Sequence, residues 1–278
     1  MPSPDLILDP LPNPITQACI ERIVSYLPYL REGQLIWVER IVLQFRQPKV
    51  FVANPTSDLI DECFVEDFGD ALRLHHCFSA DAFAKDKFEY TAVRVWGQCG
   101  RVAEMAPPGN PGHDVSVGAI RISLKTQADR NLRLGVVNIH KFMELGRGSW
   151  TDQPADLVMS RDQYLAHLQK YDRVLVLRNT TYPAYPSRLW RYELIEIPKD
   201  LLAQAAHGTL EMMLDSRQMP KPGYCRVLDS EGNPAYRLYF DGGTERKLKV
   251  QNIRRDLCVV HATWEFDIHE LDEPAPIG

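Results

Sequence analysis

Apolar residues recur at helical spacing over residues 15–30 and again over 35–45, before Pro48 interrupts the pattern. A bundle of helices is therefore expected in the first third of the chain. Over residues 79–98 a serine able to cap a helix precedes Phe83, Phe88, Ala92, Val95 and Trp96, which predicts a long amphipathic helix ended by Gly97 and Gly100. Two extended runs, 101–106 and 115–126, flank residues 107–112 (Pro-Pro-Gly-Asn-Pro-Gly), a composition that forbids regular structure. Short helices are expected over 138–145 and 160–171, and strands over 173–178 and 190–197. The last third reads as β-rich: 236–240, a hairpin turn at Asp241-Gly242-Gly243, then 246–250 and 258–266. The expected fold is a mixed α/β core with a β-rich C-terminal extension. The divisions fall at 1–78 for the helical region, 79–210 for the core and 211–278 for the extension, which is expected to be integrated with the core.

The 278 residues are 45% hydrophobic, enough for one large core or two modest ones. No stretch approaches the roughly 20 apolar residues a membrane helix needs, and Met1-Pro2-Ser3-Pro4-Asp5 lacks the pattern of a signal peptide, so a cytoplasmic protein is expected. The cysteines, Cys19, Cys63, Cys77, Cys99, Cys225 and Cys258, form no C-x-x-C pair and are expected to be reduced and mostly buried. Net charge is -5, which argues against a general polycation but not against one basic surface. Asp58, Asp61, Glu62, Glu66, Asp67 and Asp70 make a wholly acidic run, read as a solvated face. Over 221–256 eight Lys or Arg outnumber five acids, a modest sign of a phosphate-facing surface.

Chemistry concentrates in residues 112–126. Asp114 opens a strand after a glycine-rich loop, and Ser123 and Lys125 alternate further on, so both point to one face that Asp114 can sit beside. Phosphodiester hydrolysis needs a hard cation held by carboxylate oxygens and a cationic group to steady charge at the nucleophile. Asp114 and Lys125 supply one of each. A lysine on a strand otherwise made of Ile120, Ile122 and Leu124 is costly in a core unless it meets a carboxylate or a phosphate; an edge-strand lysine is the alternative.

The arrangement resembles the P-D...D/E-x-K nuclease superfamily, to which most restriction endonucleases belong. The resemblance spans residues 80–200 and is carried by Lys87-Phe88-Glu89-Tyr90, His113-Asp114, Ile122-Ser123-Leu124-Lys125-Thr126 and Glu144 shortly after. His113 stands where the motif has proline, and Ser123 where it has an acid two residues before the lysine. The resemblance implies a restriction-endonuclease-like core, a type II restriction endonuclease, Mg²⁺ as cofactor and double-stranded DNA as substrate. Some members carry Ser-x-Lys with the carboxylate moved to a following helix. Glu144 is the candidate here, with pairing to Lys141 as its ordinary reading. Glu89, on the preceding helix, is a further candidate metal ligand, with an ion pair to Lys85 as the alternative. Ser123 takes a supporting role.

For DNA contact, Lys247, Lys249 and Gln251 alternate on an expected strand and Asn252, Arg254 and Arg255 follow; cations suit phosphates, and Arg, Asn and Gln suit base edges. Arg147, beside Gly146 and Gly148, is a backbone-contact candidate. A palindromic target implies a homodimer on DNA. Two rivals remain: a repair or junction-resolving nuclease of the same fold, and a DNA-binding protein whose site has decayed. No P-loop, no G-x-G-x-x-G after a strand and no G-x-S-x-G appears, so no nucleotide cofactor is expected.

Overall fold

A computed structural model describes residues 14–129, 132–146, 153–181, 189–242 and 246–268. Two helices come first, α1 (Pro14–Tyr26) and α2 (Glu32–Phe45). They do not form the expected bundle. The described side chains of α1 are exposed, and Gln44 is the buried residue of α2. The chain then enters a strand that the helical reading missed, β1 (Lys49–Ala53), before α3 (Glu62–His76) and α4 (Lys85–Gln98). The acidic run lies largely on the outer face of α3, whose other face buries Phe64, Val65, Phe68 and Leu72. Asp61 caps α3 by accepting from the Phe64 N–H.

Next come β2 (Ala103–Met105), β3 (Val115–Val117), β4 (Ile120–Gln127) and β5 (Val136–Glu144). After them run α5 (Pro154–Leu168), β6 (Arg173–Asn179), β7 (Leu189–Glu196) and α6 (Lys199–Ala203). The chain closes with β8 (Thr209–Met212), β9 (Gly223–Leu228), β10 (Pro234–Phe240), β11 (Lys247–Arg254) and β12 (Val259–Asp267). The expected 138–145 helix is thus strand β5. Val137 and Ile139 turn inward by alternation, and β5 pairs along its length with β11, which outweighs the helix-forming residues at its end.

Among the described residues seven strands form a mixed sheet in the order β1-β12-β7-β6-β4-β3-β2, in which β4 and β6 are the parallel pair. The remaining five form an antiparallel sheet, β5-β11-β10-β9-β8. The first sheet thereby takes strands from the beginning, middle and end of the chain. Two cores flank it. Ile122, Leu124, Leu175 and Leu177 face α3 and α4 on one side, while Val174, Val176 and Ile195 face α5 and the second sheet on the other. β6 is apolar on both faces, as a central strand covered on both sides must be.

The cysteine expectation is corrected at one pair. Cys63, in the first turn of α3, is disulfide-bonded to Cys99, just past α4, with their Cα atoms 5.8 Å apart. Phe64 packs on Trp96 at 5.0 Å between ring centres, which brings those helix ends together although 36 residues separate the cysteines. Of the others, Cys77 and Cys225 are buried and Cys19 is exposed.

Candidate active site

The site is built on the meander β2-β3-β4. Gly118, with φ of 56°, and Ala119 make a two-residue turn between β3 and β4. Pairing of Val115 with Ile122 then sets Asp114 opposite Ser123. The Asp114 N–H donates to the Ile122 carbonyl at 2.9 Å. Its carboxylate Oδ2 accepts from the Leu124 N–H at 2.6 Å and from the Ser123 hydroxyl at 3.1 Å. Lys125 Nζ lies 3.8 Å from the same oxygen. A separation of nine to eleven residues in sequence becomes direct contact because a tight hairpin folds it back. On β4 the even positions enter the helical core, so Ser123, Lys125 and Gln127 face the space between the sheets.

The loop before Asp114 is held by Asn110, whose side-chain amide donates to the His113 carbonyl at 2.8 Å. Gly112 passes against Lys170, just beyond α5, so closely that a Cβ there would lie 2.9 Å from the Lys170 Cβ. From the other side comes α4. Lys85 Nζ reaches Asp114 Oδ1 at 2.8 Å and Glu89 Oε1 at 2.5 Å, so one ammonium bridges two carboxylates. Glu89 thus makes the ion pair that was its ordinary reading, within reach of the same cation as Asp114.

Burial works to raise the Asp114 pKa, but Lys125, Lys85 and the Leu124 N–H outweigh it and hold it below the usual carboxylate value. Lys125, 11% exposed, goes the other way: burial lowers its pKa, and the attraction of Asp114 only partly opposes that. Its ammonium is also 5.9 Å from the Phe142 ring centre.

Asp114 and Lys125 floor a cleft of about 460 Å³ whose walls include Lys141, Glu144, Gln163, His167 and Lys170. Glu144 comes from the end of β5 rather than from a helix and pairs with Lys141 at 2.6 Å. It borders the same cleft as Asp114 and Lys125. His167 is pushed down to about 4, by burial first and then by Lys125 and Lys170, so its ring is neutral near pH 7. The buried Tyr171 hydroxyl has no hydrogen-bond partner among the described residues, and its pKa is raised by burial and by Asp114.

A hard divalent cation fits this donor set. Asp114 and Glu89 converge on a single cationic atom, Lys85 Nζ, and oxygen ligands are what Mg²⁺ or Mn²⁺ take. Asn110, Lys85, His167 and Lys170 were not singled out from sequence. Lys85 alone left a local signal, one helical turn before Glu89; His167 and Lys170 arrive from α5 by tertiary packing.

Lys247, Lys249 and Gln251 lie on β11 as expected. Lys247 is directly opposite Glu144, so the outer face of the second sheet begins at the rim of the cleft. Along it Lys249 lies over Tyr239 at 5.1 Å, Arg237 lies over Tyr224 at 4.6 Å, and Arg237 donates to Gln251. Asn252 takes a left-handed backbone, φ 54°, and accepts from Arg133. Arg254 pairs with Asp229 and Asp256, and Arg255 with the buried Glu193, which also meets the fully buried Arg178. Both arginines are thus engaged in internal ion pairs. Arg147 lies outside the described residues.

A carboxylate and a lysine side by side on neighbouring strands of a mixed sheet, at the floor of a cleft, define a restriction-endonuclease-like α/β protein. Residues 23–266 match the family model SmaI, type II site-specific deoxyribonuclease. The chain is 38% identical over 212 residues to the type II restriction enzyme SmaI of Serratia marcescens, covering 76% of this chain and 83% of that protein. No solved structure matches. The chain belongs to the SmaI family of type II site-specific deoxyribonucleases; it is a sequence-specific DNA endonuclease, and the junction-resolving and inactive readings are set aside. Among the described residues no helix is long and apolar enough to cross a membrane.

Proposed function

We propose that this endonuclease cleaves double-stranded DNA with Mg²⁺ at the Asp114–Lys125 site. The observation that carries the reading is that the Asp114 carboxylate, on the cleft floor with Lys125, is met by Lys125 at one oxygen and by the Lys85–Glu89 pair of α4 at the other. Asp114 and Glu89 would hold the cation, and Glu144, on the wall of the cleft that Asp114 and Lys125 floor, is a further candidate ligand. When bound, the cation polarises the scissile phosphate and makes an attacking water more acidic. Lys125 orients that water and stabilises the charge growing on the phosphate, in a setting where water is largely excluded and the ammonium counts for more than at the surface. Ser123, fully buried, fixes the Asp114 carboxylate rather than replacing the missing ligand. Lys247, Lys249 and Gln251, on a face continuous with the cleft rim, carry the duplex, the lysines on phosphates and Gln251 on a base edge. Arg147, Asn252, Arg254 and Arg255 are further candidates for contact with DNA, the two C-terminal arginines only on release from their ion pairs. Two sites acting on the two strands of a palindrome call for a homodimer on DNA, and the cytoplasm, where DNA is reached, is the place of action.

The test is cleavage of phage DNA in Mg²⁺, beside an EDTA control and a Lys125→Ala variant. Discrete fragments that vanish in both controls support the reading. Cutting that survives Lys125→Ala refutes the site.

A further inference from the structure

Lys85 is placed against the preferences of its own helix. It is the first residue of α4, where the helix dipole disfavours a cation, and the N-cap Ala84 offers no side chain to the free N–H groups. What offsets this is the bridge from its ammonium to Asp114 and Glu89, the two carboxylates proposed to hold the metal. Counted with Lys125, the cluster has two positive and two negative charges, so it is neutral without a divalent ion. Adding a divalent cation while Lys85 stayed would crowd three cationic centres around two carboxylates in a partly dehydrated space. One ammonium has to leave. Lys125 is 11% exposed and would have to cross buried surface, whereas Lys85 is 41% exposed and swings into water by rotating its stem.

We infer that Lys85 is a tethered competitor for the divalent cation: its ammonium holds Asp114 and Glu89 together in the metal-free enzyme, and the metal binds by expelling it. This rests on the metal reading of the site proposed above. The consequence is an affinity for metal weaker than the carboxylates alone would give, without loss of the preformed geometry when no metal is present.

The experiment is a calorimetric titration of Mn²⁺ into the full-length protein at low ionic strength without DNA. Wild type, Lys85→Met, Lys85→Arg, Asp114→Asn and the Lys85→Met/Asp114→Asn double variant are compared. Lys85→Met, which keeps the stem and loses the charge, is expected to bind about tenfold more tightly, equivalent to about 1.4 kcal/mol. Lys85→Arg, which keeps the charge, stays near wild type. In the absence of metal the Lys85→Met protein melts below wild type, and Mn²⁺ raises its melting temperature more than it raises that of wild type. Unchanged or weaker binding by Lys85→Met overturns the inference, whereas silence in wild type and Lys85→Met alike overturns the metal reading it rests on. Mn²⁺ binding that persists in the double variant overturns instead the assignment of the metal to Asp114, so the two failures are told apart.

Discussion

Gly112→Ala tests how tightly the loop before Asp114 is fixed. The backbone of Gly112 is outside the left-handed region, so alanine meets no torsional strain and the outcome depends on space alone. The new methyl would lie 2.9 Å from the Lys170 Cβ and 3.3 Å from the Lys170 carbonyl oxygen. Carbon contacts settle near about 3.5–4.0 Å, so the loop and the end of α5 must part by roughly 0.6–1 Å. Neither neighbour is a flexible side-chain tip: one is a Cβ and the other is backbone. Asp114, two residues on, holds contacts of 2.6–3.1 Å to Leu124, Ser123 and Lys85 that a shift of this size breaks. Displacement of a reacting group by about 1 Å costs on the order of 100-fold in rate, so the single-turnover cleavage rate should fall about 10- to 100-fold. Overpacking should lower stability by only about 1–2 kcal/mol, and DNA affinity should change by less than about twofold. Quench-flow or gel time courses at saturating enzyme give the rate, and thermal melting gives the stability. Adding Lys170→Gly removes the 2.9 Å contact, leaves the 3.3 Å one, and should recover part of the rate. A Gly112→Ala enzyme that cuts within about twofold of wild type refutes the argument.

Two further outcomes follow from buried groups. His76, whose Nδ1 donates to the Ser79 carbonyl while Nε2 accepts from the Tyr192 hydroxyl, is pushed by burial down to about 3, and His167 to about 4. Because the unfolded chain takes up these protons near pH 6.5 and the folded one does not, stability is full above that pH and falls as it drops toward 4. Its slope approaches about 1.4 kcal/mol per pH unit per histidine. Urea melts at pH 7.5, 5.5 and 4.5 should show this, with His167→Gln removing about one proton from the slope; a flat profile would contradict it. Separately, denatured protein kept free of reductant should show four reactive thiols per chain with Ellman's reagent, the remaining pair being Cys63–Cys99. Six would contradict the bond.

What could be read from the chain divides by how local its cause is. Asp114, Ser123 and Lys125 were legible because one hairpin joins them and period-2 alternation sets two of them on one face. Glu89 was placed on the right helix, though the helix begins at Lys85 rather than Ser79, since the Ser79 hydroxyl closes a local turn onto the Asp81 N–H instead of capping it. Strand β5 was lost where Lys141, Phe142, Met143 and Glu144 break the alternation, and its register against β11 shifts between Leu248 and Val250 and again between Val250 and Ile253. In an isolated sequence those residues read as a helix turn. β1 is five residues long and draws its place from pairing with β12 at the far end of the chain.

The wall of the cleft was the least visible part, and the reason is physical. His167 is noteworthy only because Lys125 and Lys170 stand near it, and Lys170 because Gly112 lies against it. Nothing in residues 160–171 announces either relation. Arg178 shows the same dependence. A strand arginine looks like a surface residue until Glu193, Gln127 and three backbone carbonyls of residues 133–136 surround it and fix the chain leading into β5. Those bonds hold the chain where it enters β5, the strand whose far end carries Glu144. Glu144 comes to the cleft of Asp114 and Lys125 through the pairing of β5 with β11 rather than through its spacing from Lys125, so a candidate for the acid absent at Ser123 is to be sought in three dimensions.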